Sequence, residues 1–454
     1  MSARRLAPVL VALATFALAV ARPPADPDTY WHLASGRWMV DHGDILRTDV
    51  FSSTVAGQPY SVGEWLGEVL VYLAYAADGW AGIVLLRGAL VAVGAFFLTR
   101  AALRSGAHLI VALPVVILAL LLSTIVWTDR PHLFTLALFP VLLDLLLASR
   151  AGRSRRLVAV VPLLLVWTDL HGGYALGLAL VVLFAIDAVL RRSDARAFVT
   201  VAVLGGLATL LDPGSLGLGA ATAHAVAPPR FIVEELPPDV LTPAGFVFAI
   251  FILGTLAVAL RAGGELIDAL VIVPLLYLGL SAQRDMPYFA MAVAPYLARR
   301  LPLAWPALGT AASRITVPRA TLRGAIVGIA AIALLGVASV PTAPDESAYP
   351  TGALTALRAG SGTLLNEYDW GGYLIWRAPE RPVFIDGRLF PYLPAVLADW
   401  NAAVRLGPSW RDVLERYRVT TVLLRPDRPL VGALREDGWR VTANGANWVL
   451  LSHP

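Results

Sequence analysis

The chain has 454 residues, 57% of them apolar and only 15% charged, with a mean hydropathy of +0.69; soluble domains average about 25% charged residues, so a membrane protein is the expected class. The formal charge of +4 rests on arginines set mainly in short clusters between apolar runs, with no Lys in the chain; that pattern sets topology and does not make a nucleic-acid-binding stripe. No Cys occurs, which excludes structural disulfides and thiolate chemistry.

A bilayer-spanning helix needs about 20 predominantly apolar residues. In chain order the candidate runs are Leu6–Ala21, Trp80–Thr99, His108–Trp127, His132–Ala148, Leu157–Leu170, Tyr174–Leu190, Ala197–Leu211, Ala244–Leu260, Leu266–Ser281, Met286–Ala298 and Leu322–Val340. The expected count is therefore about eleven transmembrane helices. Residues 1–21 also fit a cleaved signal peptide, with "MSARR", a short apolar core and "AVA" before Arg22. On either reading the segment that begins at Arg22 lies outside.

The Arg clusters "SARR" (2–5), "TRAALR" (99–104), "SRAGRSRR" (149–156), "RRSDAR" (191–196), "LRAGGE" (260–265) and "ARRLP" through "PRATLR" (298–323) fall on alternate connections. Placing them in the cytoplasm gives one consistent zigzag in the cell membrane, with a cytoplasmic N-terminus. The zigzag requires "EWLGEVLVYLAYAA" (64–77) to lie along the membrane surface, with Glu64 and Glu68 one helical turn apart. The outer connections are then "DPDTYWH" (26–32), "TDRPH" (128–132), "TDLHGG" (168–173), "LDPG" (211–214) with "PPRFIVEELPPD" (228–239), and "QRDMP" (283–287). All the Asp–His and Arg–Asp clusters gather on one face, which points to one outer site.

From about Thr342 the apolar runs stop, and some 110 residues remain, enough for a small extracytoplasmic α/β domain. The expected division is 1–341 for the membrane part, with 22–79 as its first outer loop, and 342–454 for the soluble part. "GTLLNEY" (362–368), "PVFIDGR" (382–388), "TTVLLRP" (420–426) and "ANWVLLS" (446–452) are predicted strands, and "SWRDVLERY" (409–417) a helix opened by a Ser409–Asp412 capping box.

Candidate chemistry can be placed on this layout. Asp26 before Pro27 is a natural N-cap, Gly43 a natural stop, and Asp28 and His32 then share one helix face. The bland reading is a capped interfacial helix; the functional one makes Asp28, or Asp26, a general base or metal ligand. Asp169 and His171 sit together at a helix end, with Gly172 and Gly173 allowing close backbone approach. Arg284 beside Asp285 suits phosphate, since a guanidinium is a planar bidentate donor. Arg87, inside an apolar run, must snorkel, pair with a carboxylate or meet a lipid phosphate. In "NEYDWGGYLIWRAPERPVFIDGR" (366–388), Asp369 and Trp370 come after one predicted strand and Asp386 and Arg388 end the next, where ligands usually meet an α/β sheet; plain turn chemistry is the alternative.

With these motifs the chain resembles the GT-C superfamily of membrane glycosyltransferases, in which a catalytic acidic residue sits in the first outer loop just after the first transmembrane helix, and that loop carries two helices lying along the membrane surface. "DPDTYWHLASGRWM" and "EWLGEVLVYLAYA" occupy those positions. "YDWGGYLIW" with "RPVFIDGR" is similar in order and spacing to the W-W-D-Y-G and D-N-N segments of oligosaccharyltransferase catalytic subunits, with Tyr368, Asp369 and Asp386 matching. A tyrosine replaces the first tryptophan and "DGR" the asparagines, which argues against recognition of an Asn sequon. The whole pattern also looks like a set of bacterial multi-pass proteins assigned to glycosyltransferases by likeness alone.

The resemblance implies transfer of a sugar from a polyprenyl-phosphate donor to a glycan, lipid or protein acceptor at the outer face. For that reaction the sequence offers Asp28 or Asp26 as base, Arg284 and Arg130 for phosphate, and His32 and His171 as positioning groups. A divalent cation, Mg2+ or Mn2+, at Asp26 or Asp28 is compatible with it, since some members use one. Two competing classes are a non-catalytic lipid or glycan handler, such as a flippase or assembly partner, and a secondary transporter. The transporter ranks last, because transporters concentrate polar groups near the bilayer midplane.

Overall fold

The computed structural model describes residues 3–60, 62–104, 106–152, 154–213, 233–315 and 318–454. Part of the fourth expected outer connection (Gly214 and residues 228–232) lies outside the described residues. The chain folds as two compact units: Met1–Pro23 with Trp80–Thr342, and Pro24–Gly79 with Ala343–Pro454. Residues 24–79 thus belong to the same compact unit as the C-terminal segment.

The first unit is helical. Every one of the eleven apolar runs is helical over most of its length. Among the described residues, six helices are long and apolar enough to cross a membrane: Ala3–Val20, Trp65–Arg104, Leu109–Val126, His132–Arg150, Pro243–Ala262 and Ala320–Ala338. Tyr174–Leu190, Ala195–Leu211 and Leu266–Ser281 are apolar but shorter. Phe139, Trp167, Phe184 and Phe289 are fully buried between these helices. Several Arg of the clusters read as topology signals also hold buried carboxylates: Arg100 and Arg104 meet Asp144, and Arg150 and Arg191 meet Asp187. Both aspartates are fully buried, where an unpaired charge would cost several kcal/mol, so each is held by two cations.

The Trp65–Arg104 helix is two helices in sequence. Asp78 (φ −152°, ψ 33°) and Gly79 (φ 57°, ψ −141°) break it, and Gly79 takes the left-handed φ that a side chain would strain. Residues 65–77 therefore form a separate helix in the second unit.

The second unit combines that helix with the Thr29–His42 helix and a small mixed sheet. Strands β1 (Thr363–Asn366), β2 (Val419–Leu424), β3 (Arg440–Asn444) and β4 (Val449–Ser452) lie in the order β1-β2-β4-β3, with β1 parallel to β2 and the other pairings antiparallel. Val422, Leu423 and Leu424 are fully buried, as a near-continuous apolar run on a central strand demands. Three local expectations need correction. "PVFIDGR" is no sheet strand: only Val383 bridges, to Ser52 of the first loop, because the segment is drawn out of the sheet by that loop. Ser409 does precede the Trp410–Arg416 helix, but its side chain makes no cap hydrogen bond, since its backbone (φ −99°, ψ 15°) is not in the extended conformation a capping box uses. Strand β3, unforeseen from the sequence, is mostly exposed and short of apolar residues.

Candidate active site

The Thr29–His42 helix starts two residues later than Asp26–Pro27 suggested. Asp28 is its N-cap residue by position, without a side-chain cap bond, and Gly43 (φ 64°) closes it in the left-handed region. Asp26 supports this start: its Oδ1 accepts from Asp28 N at 2.9 Å and its carbonyl from Thr29 N at 3.2 Å. This divides the labour. Asp26 organises the turn, and the Asp28 carboxylate is turned away from the helix end.

Asp28 is half-buried, and its Oδ1 accepts from the Trp31 indole Nε1 at 3.1 Å. It lies against Gly387: a Cβ built there would overlap Asp28 Oδ1 and stand 3.1 Å from Trp31 Nε1. Gly372 likewise admits Trp31 Cδ1 and the Pro27 carbonyl, at 3.2 and 3.3 Å from where its Cβ would be. The glycines of "DWGG" and "DGR", read as turn residues, are thus places where the start of the Thr29–His42 helix presses in. Burial, then the carboxylates Asp28, Asp386 and Asp369, push the Tyr368 phenol well above its usual range. Burial, then Asp26 and Asp28, do the same for Tyr349. Both rings therefore remain neutral hydroxyl groups in the field of Asp28.

An aromatic seat holds the helix in place. Tyr30, Tyr349 and Tyr373 have ring centroids 4.6–5.3 Å apart, and the Tyr30 and Tyr373 hydroxyls both donate to Glu346 at 3.3 Å.

The other soluble candidates occupy different environments. Asp386 and Arg388, expected at a ligand-facing loop, are buried and bound to each other: Arg388 Nε donates to Asp386 Oδ1 at 2.8 Å and Nη2 to Oδ2 at 2.6 Å, with Tyr392 donating to the same carboxylate. Asp49 adds a second carboxylate to Arg388 Nη2 at 2.7 Å. This cluster frames the loop that carries Gly387. Asp369 is exposed and pairs with Arg425 at 3.0 Å, and Trp370 is buried with its indole donating to the Ala348 carbonyl. Glu367, one residue before Tyr368 and unremarked from the sequence, is fully buried and held by Arg428 through two bonds of 2.7 Å.

Glu64 and Glu68 also went unread as site residues. Their spacing suits the polar face of a surface helix. Glu68 is instead 0% exposed, with Oε1 3.0 Å from His32 Nδ1, and Glu64 lies 3.7 Å from the same nitrogen. The i,i+4 pair of glutamates in an otherwise apolar segment was the visible signal. Its inward direction depends on the partner helix. Among the described residues, His32, Glu64 and Glu68 form the three-donor group; it does not include Asp26 or Asp28.

The remaining candidates belong to the first unit. Arg87 is buried and donates to both oxygens of Asp129 at 2.8 and 2.9 Å and to the Ala19 carbonyl, so of its three readings the carboxylate pair holds. Arg130 pairs with Glu234, and Arg284 with Glu235 rather than with its neighbour Asp285. Asp285 is pushed up to about 6, by burial first and then by Glu235 and Glu234, against the opposing pull of Arg284. Asp169 is half-buried at the last turn of the Val160–Leu170 helix, where the helix dipole disfavours a carboxylate. His171 comes next, its Nδ1 accepting from Gly173 N at 3.0 Å and lying 2.9 Å from Thr135 Oγ1. Trp167 donates to that same Thr135 oxygen at 2.9 Å, which turns the hydroxyl proton toward His171. With Nδ1 accepting, the neutral imidazole carries its proton on Nε2. The sequence-derived candidates thus fall into two groups, one in each unit.

No protein-family model matches the chain, and no curated protein matches it either. Solved structures do. The archaeal oligosaccharyltransferase AglB from Archaeoglobus fulgidus, in complex with an inhibitory peptide and a dolichol-phosphate, is similar with a TM-score of 0.58 at 14% identity, over 93% of this chain and 69% of that one. Its apo form gives 0.57 at 13% identity, over 93% and 69%. ArnT from Cupriavidus metallidurans bound to undecaprenyl phosphate is similar over 99% of this chain and 97% of that one, with a TM-score of 0.53 and 15% identity. At these identities the likeness is one of fold: that of GT-C glycosyltransferases, over nearly the full length.

Proposed function

We propose that this chain is a multi-pass membrane glycosyltransferase that moves a sugar from a polyprenyl-phosphate-linked donor to an acceptor at the outer face of the cell membrane. The observation that carries the reading is the near-complete fold overlap with ArnT, a structure containing undecaprenyl phosphate, in a chain whose Asp28 is half-buried and oriented by an indole N–H.

In the proposed reaction the acceptor hydroxyl oxygen attacks the anomeric carbon and the bond from that carbon to the donor phosphate oxygen breaks. The acceptor proton goes to Asp28, and polyprenyl phosphate leaves. Asp28 suits the base because it combines access with a fixed direction: Trp31 orients it and the Gly387 backbone lies close beside it. Tyr349 and Tyr368, kept protonated, can donate to sugar hydroxyls without competing for the proton. Within the first unit, Arg130 and Arg284 carry guanidinium groups of the type that binds phosphate, and the Nε2–H of His171 is a further donor there. A cation of the kind some GT-C enzymes use would add Lewis-acid neutralisation of the phosphate charge.

The test is incubation of the purified protein with a panel of polyprenyl-phosphate sugars, with donor consumption tracked by mass spectrometry. Turnover that disappears in Asp28→Asn, with normal expression, supports the enzyme. A non-catalytic lipid or glycan handler would leave every donor intact, and its lipid binding would survive that substitution.

A further inference from the structure

We propose that His32, Glu64 and Glu68 form a transition-metal site of the Zn2+ type, built between the Thr29–His42 helix and the helix of residues 65–77 and separate from Asp26 and Asp28.

The two helices are pressed together where the donors meet. A Cβ at Gly36 would overlap the Glu68 carbonyl and stand 2.7 Å from Tyr72 Cβ, so the backbone packs at a distance only glycine permits. That crossing aims His32 and Glu68 at each other. His32 is 2% exposed and Glu68 0%. One donor atom from each of His32, Glu64 and Glu68 lies within 4.8 Å of the others. His32 Nδ1 stands 3.0 Å from Glu68 Oε1 and 3.7 Å from Glu64 Oε1. Ligands at Zn–N and Zn–O lengths of about 2.0–2.2 Å in a tetrahedron are about 3.4 Å apart, and the observed separations bracket that value.

Glu68 Oε2 is the second observation. It is buried and makes no hydrogen bond. The imidazole occupies Oε1, and a second carboxylate, Glu64, stands in the same small space. A buried carboxylate with an unserved oxygen costs several kcal/mol unless a charge or a proton meets it. The nearby guanidinium, Arg388, gives Nε and Nη2 to Asp386 and Asp49, and its Nη1 makes no hydrogen bond to Glu68. A divalent cation would answer both carboxylates and use the Nδ1 lone pair. One nitrogen with two carboxylate oxygens favours Zn2+, with Mn2+ or Fe2+ next, over Mg2+ or Ca2+, which prefer oxygen donors alone. Three protein ligands leave one coordination position for an outside oxygen, the arrangement of a working site more than of a closed structural one.

The experiment reads metal content and so stands apart from sugar transfer. Full-length protein in detergent is stripped with chelator, reloaded with Zn2+, desalted, and analysed by plasma mass spectrometry. Stoichiometric Zn2+ is expected, falling at least about tenfold in occupancy in His32→Ala and Glu68→Gln, while Asp28→Asn keeps it. Retention unchanged in both ligand variants, or loss in Asp28→Asn alone, overturns the site. Should the ligand variants fail to fold, Co2+ loading of the native protein decides. Visible absorption bands of a four-coordinate N/O site are expected, and their absence overturns the proposal.

Discussion

Asp28 and Asp386 are both acidic residues beside glycine-containing turns, and both belong to the second unit, yet they are opposites. Asp386 is 0% exposed, with its two oxygens taken by Arg388 and Tyr392. Asp28 is half-buried and oriented by an indole and the Gly387 backbone. A carboxylate surrounded on all sides by a guanidinium and a phenol is a structural ion pair whose proton affinity serves the fold. One that stays partly open can be reached by a substrate. Sequence motifs flagged both, and burial separates them.

The comparison breaks first at Asp28. Asn there keeps the shape and removes the base, so transfer should fall by about 10²–10⁴-fold with an unchanged melting temperature in detergent. A stable variant with near-native turnover would remove Asp28 from the mechanism. Arg388→Met should do the reverse. It strands Asp386 and Asp49 in a buried site and should cost about 3–5 kcal/mol, read as a lowered unfolding midpoint. Turnover per folded molecule should stay well above that of Asp28→Asn.

Gly387→Ala sharpens the contrast from the other side. Its new Cβ would displace Asp28 Oδ1, and misplacement of about 1 Å can cost roughly 10²-fold in rate. The expected outcome is a folded protein with reduced kcat and donor affinity close to native. The smallest effect concerns pH. Asp285 has a folded value of about 6 against 3.8 for the ordinary group, so its stabilising contribution is full below about 3.8 and is lost as pH rises through about 6. Asp285→Asn should therefore gain relative stability above pH 6 and none below pH 4, measured as the difference in melting temperature across that range.

The same division governs how much could be read in advance. The apolar runs became helices because twenty apolar residues in sequence need no distant partner to choose that conformation. The break at Asp78–Gly79 was implied by the charge zigzag and realised by a local glycine conformation. "TTVLLRP" and "ANWVLLS" became β2 and β4 because apolar β-branched runs fit a buried sheet. By contrast, "PVFIDGR" has the same composition but pairs with the first loop through Val383, a partner more than 300 residues away in sequence. The helix start expected at Asp26–Pro27 lies two residues further on, because Asp26 serves the Asp28 amide in the turn before it.

By itself, then, the sequence determined the helical class, the apolar runs that became helices, the interruption after residue 77 and the small set of polar clusters, since each depends on neighbours within a turn or two; of the eleven expected spans, six among the described residues are long and apolar enough to cross a membrane. Only the tertiary structure decided that Arg87 pairs with Asp129, that Glu68 points inward to His32, that Asp386 is sealed and that Asp28 is not. Those outcomes depend on which distant segment supplies the opposing charge and excludes the water. Burial, charge pairing and access are properties of two surfaces meeting, and no single stretch of chain contains both.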